Sequence, residues 1–242
     1  MSRKEDKICG KNQLTCDAIS DGNDRMSRKE DKICGKNQLT CDAVSDGNDR
    51  MSRKDDGQKR RIQLPLTREL ALSLTCGETV YLTGTIYTSR DAGHKRMTEA
   101  LSRGEALPFD PTDATIYYVG PTPARPGQVI GSAGPTTSGR MDAYAPAMMR
   151  AGARGMIGKG ARLPEVVEAM KECDGVYFGA IGGAGALLAK CIKSARLIAY
   201  EDLGAEALRE LWVEDFPVVV IIDCTGRNLY EEGRKAYLDK RD

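Results

Sequence analysis

From Ile62 onward the chain alternates between short apolar or β-branched runs and longer segments with the spacing of an amphipathic helix. The runs "ETVYLTGTIYT" (78–88), "ATIYYVG" (114–120), "GMIG" (155–158), "GVYFGAIG" (175–182), "RLIAY" (196–200) and "PVVVIID" (217–223) predict strands. Their β-branched and aromatic side chains suit a pleated, half-buried surface. Between them "RDAGHKRMTEALSRG", "SGRMDAYAPAMMRAG", "LPEVVEAMKEC", "GGAGALLAKCIKSA" and "GAEALRELW" predict helices. Strand and helix in alternation argue for one layered α/β domain over residues 62–242. A long irregular stretch separates the first strands, so a mixed rather than purely parallel sheet is expected.

The first sixty-odd residues follow neither pattern. "MSRKEDKICGKNQLTCDAISDGNDR" fills 1–25 and recurs at 26–50, differing only in Ile19 against Val44, and a third copy begins at Met51 and stops after Lys54. No aromatic residue precedes Tyr81. A charged, Gly-containing stretch with so few large apolar side chains buries too little surface to offset the entropy of ordering it, so residues 1–61 are expected to form a disordered repeat arm. Cys9, Cys16, Cys34 and Cys41 fall in C-x6-C pairs, wider than the spacing of usual structural zinc sites. An in-frame duplication of a tail explains the near-identity better.

Charge then narrows the partners. Lys and Arg number 36 against 35 Asp and Glu, which leaves no electrostatic case for a nucleic-acid or membrane-surface binder. No apolar run reaches the length of a membrane span, and the N-terminus lacks a secretory signal, so a cytoplasmic protein is expected. A small acidic metabolite remains as a ligand.

Three motifs suit such a ligand. In "GPTTSGRMD" (134–142) a Gly-Pro turn precedes Thr136, Thr137 and Ser138 near the start of a helix that carries Arg140 in its first turn. Backbone N–H groups, hydroxyls and an arginine at a helix start make an anion site. The plainer alternative is that the hydroxyls only cap the helix, which needs just one of them. "TSRDAGHKR" (88–96) repeats the arrangement with Arg90 and His94 four apart on a helical face, where Arg90 would hold a second carboxylate and His94 would orient it or donate a proton. A lone histidine is more often a hydrogen-bonded structural residue. "MIGKGAR" (156–162) sets Lys159 between glycines that let a ligand approach the backbone. "GAIGGAGAL" (179–187) lacks the dinucleotide G-x-G-x-x-G order and reads as close packing. The remaining cysteines, Cys76, Cys173, Cys191 and Cys224, are scattered singly, without metal-ligand spacing. Arg90, Arg140 and Lys159 at strand-to-helix or strand-to-loop junctions suit a small di-acid.

"YLTGTIYTSRDAGHKRM", "GPTTSGRMD", "MIGKG", "EDLGAEAL" and "DFPVVVIID" occur in order between Thr75 and Tyr230. Together they resemble the C-terminal, or β-subunit, region of the class I iron–sulfur fumarate hydratases, a family that also holds the L-tartrate dehydratases. The resemblance implies a swivelling β/β/α domain and a hydro-lyase that interconverts fumarate and (S)-malate. It implies a four-iron, four-sulfur cluster on a separate α subunit and none on this chain, with the two subunits forming a heterodimer or an α2β2 assembly. Carried over by motif position, Thr136 would be the proton-abstracting base. Arg90, Thr137, Arg140 and Lys159 would bind substrate, supported by Asp91 and His94. Two other readings stand beside this one: an L-tartrate dehydratase β subunit, and a non-catalytic module that senses a carboxylate.

Overall fold

The structure is a computed structural model and describes residues 60–239. Its strands are β1 (Arg60–Gln63), β2 (Thr79–Thr88), β3 (Thr115–Tyr117), β4 (Gly155–Gly158), β5 (Val176–Gly179), β6 (Ile192–Ala199) and β7 (Leu208–Ile222). The first five lie side by side in parallel, whereas β7 runs antiparallel to β5, β6 and β2. Because β7 pairs with both β5 and β2, the pairing runs from β2 through β3, β4, β5 and β7 back to β2 and closes on itself. Closure leaves few unpaired edges. This is the mixed α/β sheet expected from the sequence. The expected arm of residues 1–61 lies outside the described residues, apart from Arg60 and Arg61, which open β1.

Among the described residues six α-helices accompany the sheet: α1 (Arg68–Ser73), α2 (Asp91–Ser102), α3 (Ala145–Arg150), α4 (Pro164–Cys173), α5 (Gly185–Cys191) and α6 (Leu229–Leu238). Side chains along each strand alternate between two cores. On β3, Tyr117 joins Leu82, Phe178, Phe216 and Val220 in one cluster. Its neighbours Ile116 and Tyr118 turn the other way, under Met97 of α2, Met148 of α3 and Met170 of α4. Among the described residues no helix is long and apolar enough to cross a membrane.

The expected helices hold at α2 and α4 and fail elsewhere for identifiable reasons. "SGRMDAYAPAMMRAG" splits into a 3-10 turn at Ser138–Met141 and the short α3. "GGAGALLAKCIKSA" is helical only to Cys191 and continues as β6. "GAEALRELW" is rich in helix formers, yet from Leu208 it is the start of β7, paired on one side with β2 and on the other with β6. Pairing with two strands outweighs the helix propensity of its residues. The periodicity of β7 is also broken, because a bulge opposite Leu82–Gly84 sets buried Val213 and Phe216 three apart instead of two.

Candidate active site

In a parallel array all strands end on the same side, and the turns after β2, β3, β4 and β5 therefore meet. Arg90 comes after β2, Gly120 after β3, Lys159 after β4, and Gly182–Gly185 after β5. The "GPTTSG" segment is laid across these ends by backbone bonds. The Thr136 N–H donates to the Tyr118 carbonyl at 2.8 Å, and the Ser138 N–H donates to the Lys159 carbonyl at 2.9 Å. The sequence expectation of free N–H groups at a helix start is thus corrected: these two donors are occupied. The chain then makes a single 3-10 turn in which the Thr137 hydroxyl forms no cap bond.

Two arginines of the candidate set converge on one carboxylate. Arg140 Nη2 lies 2.7 Å from Asp91 Oδ2, and Arg90 Nε lies 3.8 Å from Asp91 Oδ1. Arg90 also pairs with Glu206 at 3.1 Å, and the same glutamate accepts from the Ala92 N–H at 3.2 Å. The Arg90 guanidinium passes directly over Gly120, where a Cβ would sit 2.7 Å from Nη1. Only glycine leaves that path open. Burial works against ionisation of Asp91, but its own backbone N–H, the Arg140 hydrogen bond and both guanidinium charges outweigh it and hold the carboxyl below its ordinary range.

Thr136 is half-buried, while Thr137, Arg140 and Lys159 are exposed. Thr137 and Lys159 face each other in an isolated parallel bridge, and the Lys159 stem lies against Gly182, where an added Cβ would be 3.7 Å from Cδ. Thr136, Thr137 and Lys159 therefore share one end of the sheet with Arg90, Asp91 and Arg140.

His94 differs from the expectation of a proton donor. It is fully buried, with Nδ1 2.9 Å from both the Ser89 hydroxyl and the Arg90 carbonyl. The carbonyl only accepts, so Nδ1 carries the proton of a neutral ring. Burial pulls the pKa down from 6.5 to about 4, so the ring is neutral at pH 7 and acts by bracing the backbone that presents Arg90. The unfolded chain takes up a proton near pH 6.5 and the folded one only near 4, so stability is full above about 6.5 and is lost as the pH falls towards 4. The loss attributable to His94 reaches about 3 kcal/mol. Urea unfolding of the wild type and His94→Gln at about pH 7.5 and about pH 5 should show a smaller acid loss in the variant. Parallel curves would remove His94 from that role.

Sequence reading missed the support beneath this face. Arg162 and Asp142 form an ion pair at 2.6 Å with side-chain exposures of 0% and 2%. The guanidinium stacks over Tyr118 and Tyr177, 5.5 and 5.0 Å from their ring centroids. The Tyr177 hydroxyl lies 2.9 Å from both the Ser138 hydroxyl and the Gly160 carbonyl, tying the two motif loops together. Glu206 was likewise overlooked. Asp142, Arg162 and Glu206 stood inside or beside the quoted motifs, but a charge next to a motif carries no sequence mark of burial.

An iron–sulfur cluster, implied by the resemblance, needs clustered thiolates. Among the described residues no group of three or more His, Cys, Asp or Glu side chains could hold a metal. Cys76, Cys173, Cys191 and Cys224 are free, and burial pushes all four thiols up, away from the thiolate form. These residues do not fit the group.

At the ends of its parallel strands this mixed α/β domain gathers cations and hydroxyls, side chains whose chemistry suits a small anion. The chain belongs to the family described as Fumarase C-terminus, whose profile matches residues 34–233. It is 40% identical over 153 residues to "Fumarate hydratase class I, aerobic" of Escherichia coli strain K12, covering 62% of this chain and 28% of that protein. "Fumarate hydratase 2" of Leishmania major is 39% identical over 158 residues, covering 64% of this chain and 28% of the relative. "Putative L(+)-tartrate dehydratase subunit beta" of Methanocaldococcus jannaschii is 36% identical over 181 residues, covering 72% of this chain and 93% of the relative. The chain thus spans little more than a quarter of these two fumarate hydratases, but nearly the whole of the tartrate dehydratase subunit.

Proposed function

We propose that this chain is the β subunit of a two-subunit class I fumarate hydratase that reversibly hydrates fumarate to (S)-malate. The observation that carries the reading is the gathering of Arg90, Arg140, Lys159, Thr136 and Thr137 on a solvent-open face at the strand ends, with Asp91 joining the two arginines. Guanidinium groups held by a shared carboxylate are preorganised for a second, planar carboxylate from a substrate. Lys159 adds a point charge that can swing on its stem. Thr136, seated half-buried with its backbone fixed, is the group we assign to take the proton from the carbon next to a substrate carboxylate. A hydroxyl is a weak base, and the surrounding cations favour its charged form.

In this reading the face is one wall of a site whose other wall, with an iron–sulfur cluster, belongs to an α subunit. Bound there, such a cluster would supply a Lewis acid for the departing hydroxyl. The relative named as a β subunit, matched over nearly its full length, supports the two-chain arrangement. Free thiols at Cys76, Cys173, Cys191 and Cys224 suit a reducing cytoplasm.

Anaerobic co-expression with a candidate α subunit, followed by loss of fumarate absorbance, tests this reading. Turnover is expected only with both chains; activity in the isolated chain, or none with any α subunit, overturns it. The same relative favours a second reading, an L-tartrate dehydratase β subunit, which the same assay with L-tartrate decides. In the assembled enzyme Arg140→Lys should raise KM about tenfold or more with a smaller change in kcat, because a lysine loses bidentate carboxylate geometry. An unchanged KM would remove Arg140 from substrate binding.

A further inference from the structure

A cavity of about 480 Å³ lies between the 121–130 loop and the β6–β7 hairpin, and none of Arg90, Thr136, Thr137, Arg140 or Lys159 lines it. Its size falls within the roughly 300–1,000 Å³ of small-molecule sites. One wall is held in place before any ligand arrives. The loop is closed at its neck by the Thr122 N–H donating to the Ser132 carbonyl at 3.0 Å and by the Ser132 N–H donating to the Thr122 hydroxyl at 2.8 Å. Pro121 and Pro123 stiffen the same stretch. The opposite wall is Ala195 and Leu197, two apart on β6 and therefore on one face of the strand. Val129 and Leu197 are 49% and 42% exposed, which leaves apolar surface open to the cavity.

Arg209 is the charged residue of the lining. It stands directly across from Leu197 in the β6–β7 register, so its side chain rises on the same face. The guanidinium donates to the Gly204 carbonyl at 2.9 Å and the Ala207 carbonyl at 3.3 Å, and among the described residues it makes no ion pair. A guanidinium carries five N–H donors, so these bonds leave others for a ligand. Partial burial lowers its pKa with no carboxylate to offset the cost.

We propose that this cavity binds a small monocarboxylate with an apolar body, its carboxylate on Arg209 and its body against Pro123, Val129 and Leu197. A dicarboxylate is poorly matched, since its second charge would be desolvated against apolar walls. The site is therefore separate in chemistry from the face around Arg90 and Arg140, and it stands whether or not the fumarate hydratase reading does. It adjoins that face, because Ala205 of the cavity floor precedes Glu206, the partner of Arg90.

Titration calorimetry of the full chain with hexanoate, benzoate, hexanol and fumarate tests the proposal without any need for turnover. Hexanoate and benzoate should bind saturably, hexanol about tenfold or more weakly, and fumarate should not compete. Arg209→Gln should weaken hexanoate binding about tenfold or more, while Arg140→Lys leaves it unchanged. Should Arg209→Gln fail to fold, Leu197→Glu at the exposed rim sets a tethered carboxylate beside Arg209 and should abolish binding with the circular dichroism spectrum unaltered. No saturable binding, displacement by fumarate, or wild-type affinity in a folded variant of either position would overturn the proposal.

Discussion

Replacing Arg162 by methionine should cost the folded domain about 3–5 kcal/mol, the largest loss expected from any single change beneath the candidate site. The reason lies in what remains. Asp142 would keep its seat in the core with one oxygen bonded to the Leu163 N–H at 2.8 Å, while the other loses the guanidinium 2.6 Å away. A buried carboxylate stripped of its counter-charge is costly because Asp142 sits almost wholly out of water, which therefore does not replace the guanidinium. The intact pair need not itself be strongly stabilising, since both ions were taken out of water to form it. Removing both charges together should therefore be milder: Arg162→Met with Asp142→Leu is expected to recover a large part of the loss. Urea unfolding of the single and double variants checks this. A single-variant loss below about 1 kcal/mol would mean that water reaches Asp142 and that the pair is not the anchor of the loop.

The same pair explains what was and was not legible in the sequence. Strands β2, β3, β4 and β5 could be read as apolar or alternating runs, and helices α2 and α4 as amphipathic repeats, because each pattern is local to its own segment. The motif residues Arg90, Arg140 and Lys159 could be read because cations at strand ends stand out against apolar runs. What could not be read depends on contacts distant in the chain. The end of β7 could be read as "PVVVIID", but its first half carries helix-forming residues and a bulge, and only its pairing with β2, more than a hundred residues earlier, makes that half a strand. β1 is four residues long and was hidden by the charged stretch before it. His94 and Arg162 illustrate the limit from the other side. Both are polar residues in polar motifs, and nothing local distinguishes a histidine that meets substrate from one that holds the Arg90 carbonyl from below. The fold supplies the distinction by sending His94 inward against Tyr118, with ring centroids 5.2 Å apart.

Thr136→Ala should lower turnover of the assembled enzyme about 100- to 10,000-fold, the range that a positioned proton-transfer group contributes. The backbone geometry makes this substitution a clean test. Thr136 is fixed through its main chain, by the 2.8 Å bond from its N–H to the Tyr118 carbonyl, and Pro135 before it bridges to Val119. Losing the hydroxyl and methyl of a half-buried side chain leaves those bonds in place, so the unfolding free energy of the isolated chain should change by no more than about 1 kcal/mol. Thr136→Ser keeps a hydroxyl at the same point and should retain much of the activity. Thr137→Ala, on an exposed neighbour, should act mainly on KM. This pattern separates proton transfer from binding, because a group needed only in the transition state lowers kcat and kcat/KM together. Near-normal kcat in Thr136→Ala would transfer the base to another residue. His94 would remain a poor replacement, because its free Nε2 is shut away from solvent and burial lowers its pKa to about 4.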